Sequence, residues 1–341
     1  MLSAPSQCLL RQKDMLLEGR WLLVNPTDAF VFDELPETVS GFHQYFDQYQ
    51  AAARRQPHRH SFGITLPEET EKFDGIVLYL PKAKKHTVWL LAHLATLLNP
   101  NGFLCLVGEN KGGIKSSGKL LEAVGERANK IENARHCSVL ATVVAQSQPF
   151  NLDAYISKQT MSVSNHNGNT DIQVYSLPGV FSHGELDAGT QLLLENIEKV
   201  PDGNVLDFAC GCGVVGAYLA AQNTQSSVTL SDINALALHC SEMTMSHLNN
   251  ERQITASNGL DLVEGQFRAI YTNPPFHTGL ETDYGITDIF IQDASRKLQS
   301  GGELWLVANR FLPYAEQLKR SFNNCKTVAQ TTKFTLYRCI K

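Results

Sequence analysis

The sequence predicts an α/β protein in which one doubly wound unit occurs twice, the first copy degenerate. Residues 73–107 and the stretch from Ile270 to Val307 share one order: strand, proline-bearing loop, helix, turn, strand. Asn204 to Phe208 reads as a strand running into the small-residue loop Ala209-Cys210-Gly211-Cys212-Gly213 and then a helix. The apolar Ile270-Tyr271-Thr272 reads as a buried strand that stops at Asn273-Pro274-Pro275-Phe276. Neither proline can donate to a sheet ladder, and each restricts the residue before it. That group therefore sits on a loop at the strand's carboxyl end, where open α/β sheets keep their ligands.

With 341 residues, 43% of them hydrophobic, the chain can fill two cores of ordinary size. No apolar run reaches the length of a membrane span and no basic-then-apolar leader opens the chain, so a soluble, cytoplasmic protein is expected. The eight cysteines show no C-x-x-C pair and no zinc spacing; they read as free, mostly buried thiols, and no metal is expected. The net charge of −5 argues against a uniformly basic nucleic-acid binder. Residues 1–180 balance 17 basic against 17 acidic side chains, whereas residues 181–341 carry 12 against 17. An RNA partner would thus lean on the first half for phosphate contacts.

In chain order, Trp21 to Val24 is a strand followed by Asn25-Pro26 with no glycine loop, and Phe42 to Ala53 has helical periodicity. The cluster Arg54 to His60 reads as a solvated helix end. Phe73 to Tyr79 is a strand, Leu80 to Lys85 its loop, Thr87 to Leu98 an amphipathic helix, and Phe103 to Val107 the next strand. Here Leu80-Pro81-Lys82-Ala83 stands where the second half has Asn-Pro-Pro-Phe, so the first copy is expected to be catalytically silent. Asn167-Gly168 between two alternating stretches marks a hairpin bordering the domains, placed at 1–170 and 171–341. Leu186 to Thr190 leads into a helix over Gln191 to Lys199 and reads either as a turn with Thr190 as N-cap or as a segment that closes over a bound cofactor.

In the second half, Gly211, Gly213 and Gly216 satisfy G-x-G-x-x-G, which lets backbone pass close to a ligand at a helix N-terminus but is shared with NAD enzymes. Asp207 at the strand end tips the reading. The stretch resembles the D-x-G-x-G-x-G loop of class I S-adenosylmethionine (SAM) methyltransferases, with Ala209 for the first glycine, a replacement that excludes a backbone shape needing glycine there. Asp232 closes the next strand at the distance where a carboxylate reaches ribose hydroxyls, and Ser257-Asn258 follow a strand near Gln253 to Ala256, placed to meet an adenine edge. Cys210 and Cys212 read as packing residues. Thr327 to Gln330 and Lys333 to Cys339 form a closing antiparallel hairpin.

Asn-Pro-Pro-Phe suits recognition of a planar amine. The Asn273 side-chain carbonyl and the Pro274 backbone carbonyl can accept both N–H bonds of one –NH2, and Phe276 offers a stacking face. The four residues resemble the [N/D/S]-P-P-[Y/F/W] motif of SAM enzymes that methylate base amines or the amide of glutamine. Together with Val107-Gly108-Glu109-Asn110-Lys111, Pro178 to Ser182, Gly301-Gly302-Glu303-Leu304 and Val307-Ala308-Asn309, they make the chain resemble the RsmC family over nearly its whole length.

That resemblance implies two tandem Rossmann-like class I methyltransferase domains, a degenerate first one supporting the second, and SAM-dependent methylation of the exocyclic N2 of a guanine in 16S rRNA. Asn273, Pro274, Pro275 and Phe276 would handle the base, and Asp207, Ala209, Gly211, Gly213, Asp232, Ser257 and Asn258 the cofactor. The partner would be 16S rRNA or the small ribosomal subunit, the enzyme a monomer, and Lys82, Lys84, Lys85, Lys111 and Lys115 RNA contacts. The competing readings are a relative acting on another rRNA guanine or a protein glutamine, an NAD-dependent oxidoreductase, and a non-catalytic RNA-binding assembly factor.

Overall fold

A computed structural model describes residues 1–67, 69–166, 168–181, 184–274 and 284–341, with the side chains of 284–286 left out. By its contacts the chain divides into two compact units, Met1–Ile156 and Ser157–Lys341.

In the first unit, helix α1 (Ala4–Leu9) precedes strand β1 (Trp21–Val24). Then come β2 (Val39–His43), α2 (Phe46–Arg55), β3 (His60–Phe62), β4 (Phe73–Tyr79), α3 (Lys84–Thr96), β5 (Leu98–Glu109), α4 (Gly118–Glu122), β6 (Asn129–Ala134) and β7 (Cys137–Val144). The sheet order is β3-β2-β1-β4-β5-β7-β6, parallel through β5 and antiparallel at β7 and β6. Strands such as Trp21–Val24 are buried at every position, as expected where helices cover both faces of a parallel sheet.

The second unit opens with the hairpin β8 (Ser157–Asn165) and β9 (Gly168–Ser176), followed by α5 (Ala188–Glu195), β10 (Gly203–Phe208), α6 (Val214–Gln222), β11 (Ser226–Asp232), α7 (Ala235–Met245) and β12 (Arg252–Ala256). It closes with β13 (Phe267–Thr272), α8 (Tyr284–Lys297), β14 (Leu298–Asn309), α9 (Tyr314–Ser321), β15 (Asn324–Gln330) and β16 (Phe334–Ile340). Its order, β12-β11-β10-β13-β14-β16-β15, is that of the first unit. The copies agree in detail. Both β4–β5 and β13–β14 shift register at the same place, beside Phe73/Gly75 and Phe267/Ala269. Both β5 and β14 turn early through a left-handed residue, Asn101 at φ 63° and Gly301 at φ 74°. The pairing of both halves as one duplicated α/β unit is therefore observed.

Several local readings change. Residues 42 and 43 end strand β2, and the helix starts at Phe46. The end of α2 and the turn after it are exposed at Arg54, Arg55 and His58 as expected, but the last two residues of the cluster are structural: Arg59 donates to the Pro36 carbonyl, and its Nε to the Val39 carbonyl at 2.9 Å, while His60 sits in β3 with its Nδ1 3.2 Å from His43 Nε2. The hairpin belongs with the second unit, since Thr244 Oγ1 receives the Tyr175 N–H at 3.1 Å and Asn165 Nδ2 donates to Tyr218 OH at 2.6 Å. A division at 170/171 would cut through β9. The cysteines are not all free thiols. Cys325 and Cys339 lie opposite each other in the β15–β16 ladder and form a disulfide, because directly paired positions of antiparallel strands bring two sulfurs within bonding reach. Cys8, Cys105, Cys137, Cys210, Cys212 and Cys240 are buried thiols.

Candidate active site

In the second unit the chain leaves β10 toward β11 on one side and returns to β13 on the other, which opens a crevice at the carboxyl ends of β10 and β13. The polar groups gather there. Asp207, 2% exposed in β10, accepts the Gly216 N–H on Oδ2 at 2.8 Å. Burial pushes its carboxyl up to about 8, with the charge of Asp232 acting in the same sense and the Gly216 N–H opposing. Asp232 ends β11; Oδ2 accepts the Gly211 N–H at 2.9 Å and Oδ1 the Asn234 N–H at 2.9 Å. Burial raises its carboxyl too, against those N–H donors.

Between the two carboxyls the loop turns tightly through left-handed residues: Ala209 at φ 57°, Gly211 at 53° and Gly213 at 76°. A backbone shape that favours glycine is thus present at position 209 although the residue is alanine, contrary to what the substitution suggests in sequence. Gly213 is required doubly, since a Cβ there would lie 2.7 Å from the Ser241 Cβ. Cys210 and Cys212 pack in the interior, and burial raises both thiols, for Cys212 after its bond to Cys240. Among the described residues no three His, Cys, Asp or Glu side chains gather as a metal site.

Asn273 follows β13. Its Nδ2 donates to Asp187 Oδ2 at 2.7 Å and to Thr190 Oγ1 at 3.0 Å. Asp187, not Thr190, caps α5, its Oδ2 also accepting the N–H groups of Gly189 and Thr190 at 2.8 and 3.0 Å. Sequence reasoning passed over Asp187 as a site residue. Its partner lies 86 positions away, and the local signal, an Asp before Ala-Gly-Thr, speaks only of capping. Pro274 is buried; Pro275, Phe276 and His277 lie outside the described residues. Ser257 is buried with its Oγ accepting the Leu262 N–H at 3.1 Å, while Asn258 is exposed.

Register fixes what the first unit has at these places. Trp21 faces Val39 and Gly75 as Val205 faces Val228 and Ala269. Leu23 thus stands for Asp207, His43 for Asp232 and Tyr79 for Asn273, so the degenerate motif is Tyr79-Leu80-Pro81, one residue earlier than the prolines suggest. All three are buried, and Tyr79 OH is 2.9 Å from Ser6 Oγ. The five lysines are exposed, on segments that follow the carboxyl ends of neighbouring parallel strands β4 and β5.

Comparison with known proteins agrees with this duplicated architecture. A family model described as Methyltransferase small domain matches residues 171–338, and one described as Methyltransferase small domain N-terminal matches residues 6–159. A solved T. thermophilus 16S rRNA N2 G1207 methyltransferase (RsmC), in complex with AdoMet and guanosine, superposes with a TM-score of 0.79 at 22% identity, covering 97% of this chain and 92% of that one. That likeness concerns the fold. The ribosomal RNA small subunit methyltransferase C of Pseudomonas aeruginosa (strain UCBPP-PA14) is 39% identical over 97% of both chains. The protein of the same name from Pseudoalteromonas atlantica is 47% identical over 99% of both. With such identity sustained through both copies, this chain belongs to the ribosomal RNA small subunit methyltransferase C family.

Proposed function

We propose that this chain transfers the methyl group of SAM to the exocyclic N2 of a guanine in 16S rRNA, acting as a cytoplasmic monomer on the RNA or the small ribosomal subunit. The observation that carries this reading is the meeting, at one crevice, of a glycine loop flanked by two carboxyls with an asparagine amide held in one orientation. Identity through both halves with rRNA methyltransferases supplies the substrate class.

The residues present suit the cofactor. The Ala209-to-Gly213 loop brings backbone to the crevice, and Asp232 presents carboxylate oxygens to ribose hydroxyls. Asp207, its carboxyl raised to about 8 by burial, is largely neutral at pH 7 and orders the start of α6 through the Gly216 N–H rather than charging the crevice. Asp207, Gly211, Gly213, Asp232 and Asn258 would hold it; Ser257 supports the turn. When bound, SAM supplies an electrophilic methyl on a sulfonium.

The chain's own part is positioning. Asn273 Oδ1 and the Pro274 carbonyl accept the two N–H bonds of the guanine amine, which turns the nitrogen lone pair outward for in-line attack. That lone pair would take the methyl of a bound SAM, with the neutral thioether leaving, and the alkylated nitrogen would shed a proton to water or an acceptor carbonyl, so no strong general base is needed. The base must leave any helix to enter the crevice. The first unit, with Leu23, His43 and Tyr79 at the corresponding places, binds no cofactor and supports the second or contacts RNA.

Transfer of labelled methyl from SAM to 16S rRNA, free and in small subunits, followed by mapping of the modified base, tests the proposal. Label on a guanine N2 is expected. Label on a glutamine or another base would replace the substrate, and absence of transfer with intact RNA binding would favour an assembly factor.

A further inference from the structure

We infer that Asp187 and Thr190 are positioning residues that set which end of the Asn273 amide faces the substrate. The inference rests on Asn273 as acceptor of the reacting amine. A primary amide has two ends of nearly equal size and opposite polarity, and a flip would present a donor to a donor. Asn273 Nδ2 lies 2.7 Å from Asp187 Oδ2 and 3.0 Å from Thr190 Oγ1. A carboxylate oxygen has no hydrogen to give, so the end facing Asp187 must be the NH2, and Oδ1 points to the other side. Flipping would set Oδ1 against the carboxylate.

The clamp is itself held. Asp187 Oδ2 is fixed by the N–H groups of Gly189 and Thr190 at the start of α5. The amide also packs tightly on that turn, because a Cβ on Gly189 would lie 3.1 Å from Asn273 Nδ2 and 3.1 Å from Val307 Cγ1. The link spans the helix before the sheet and the strand that carries the chemistry.

The first copy has the same joint without the chemistry. Ser3 caps α1 as Asp187 caps α5, which makes Ser6 the counterpart of Thr190. Ser6 Oγ lies 2.9 Å from the OH of Tyr79, the residue at the Asn273 position. A helix-to-strand bond here therefore belongs to the inherited frame. In the second copy it holds a group whose polarity matters to a substrate, and the test must separate orientation from plain packing.

Full-length Thr190→Val, Thr190→Ser, Asp187→Asn and Asn273→Ala variants are compared in steady-state methyl transfer from SAM to small ribosomal subunits. Valine copies the shape of threonine without the acceptor, serine keeps the acceptor, and asparagine keeps the N-cap while placing an amide against the amide. Thr190→Val is expected to lower kcat about tenfold and Asp187→Asn by about tenfold or more, with KM for SAM within about twofold of wild type. Thr190→Ser should return kcat to within about threefold. Equal impairment of the valine and serine variants would overturn the inference in favour of packing. A raised KM for SAM at unchanged kcat would overturn it in favour of cofactor contact. If Asn273→Ala is inactive while the valine and asparagine variants have normal kcat, this inference alone fails. Full activity of Asn273→Ala would remove the underlying reading of Asn273 as well.

Discussion

Ala209 sits at φ 57° between two carboxyl-bearing strands, in a region that costs an L-residue about 1–2 kcal/mol and glycine little. Part of that is offset by the greater freedom glycine has when unfolded, about 0.5–1 kcal/mol. Ala209→Gly is therefore expected to raise stability by about 0.5–1 kcal/mol, read as a higher denaturation midpoint at unchanged slope. An unchanged or lower midpoint would mean that the alanine methyl contributes packing against the neighbouring core. Asp232 makes a different kind of contribution. Its oxygens order the glycine loop through Gly211 and, in the proposed reading, bind ribose. Asp232→Ala is expected to weaken SAM binding by about 1.5–3 kcal/mol in calorimetry. Unchanged affinity would leave it a loop-ordering residue. Asn273→Ala should spare SAM affinity and remove turnover, since the lost group faces the amine and not the cofactor.

At the scale of elements, the alternation of apolar runs with glycine and proline punctuation made the sheet strands and the duplicated order legible. The loops at the ends of β10 and β13 were legible because their residue types are unusual for turns alone. What sequence hid was contact made at a distance. Asp187 meets Asn273 across 86 positions, and neither periodicity nor capping preference encodes that. The equivalence of Tyr79 with Asn273 was hidden because prolines attract an alignment by eye, whereas ladder register with β5 and β14 decides it. Phe42 and His43, the end of β2, were absorbed into a helix because that strand is short and leads directly into α2. The Cys325–Cys339 bridge depends on which residues of β15 and β16 fall opposite, including a register shift at Thr327/Ala329 that spacing cannot supply.

The two units should respond to pH in opposite directions. In the first, burial holds His43 down at about 3, helped by His60, and holds His86 down at about 4; His60 and His93 are also lowered to about 4. An unfolded histidine takes a proton near pH 6.5, so between about 4 and 6.5 the unfolded chain binds more protons than the folded one. The first unit thus loses stability as pH falls through that window, by up to about 1.4 kcal/mol per pH unit for each of the most buried, His43 and His86. In the second unit Asp207 is raised to about 8, so its contribution is full below the unfolded carboxyl pKa and is lost as pH rises toward 8. Hydrogen exchange resolved by unit, at pH 7.5 and 5.5, is expected to show protection falling in residues 1–156 and rising in residues 157–341. Parallel changes in both would refute the opposed charge states.

Charge divides the chain as well. Residues 181–341 hold 12 basic against 17 acidic side chains, so that half repels a phosphate backbone on average. The first unit offers Lys82, Lys84, Lys85, Lys111 and Lys115, all exposed, on segments following adjacent parallel strands. Among the described residues none of the five is held in an ion pair with a carboxylate. In the proposed reading they are phosphate contacts, and such contacts act by releasing counterions from RNA. Reversing Lys82, Lys84 and Lys111 to glutamate is expected to weaken RNA binding without sequence preference and to flatten its salt dependence by roughly one log unit per lost contact. SAM affinity should be unaffected, with one SAM bound per chain. A second equivalent SAM site would refute the silence of the first copy, and an unchanged salt slope would confine that copy to supporting its partner's fold.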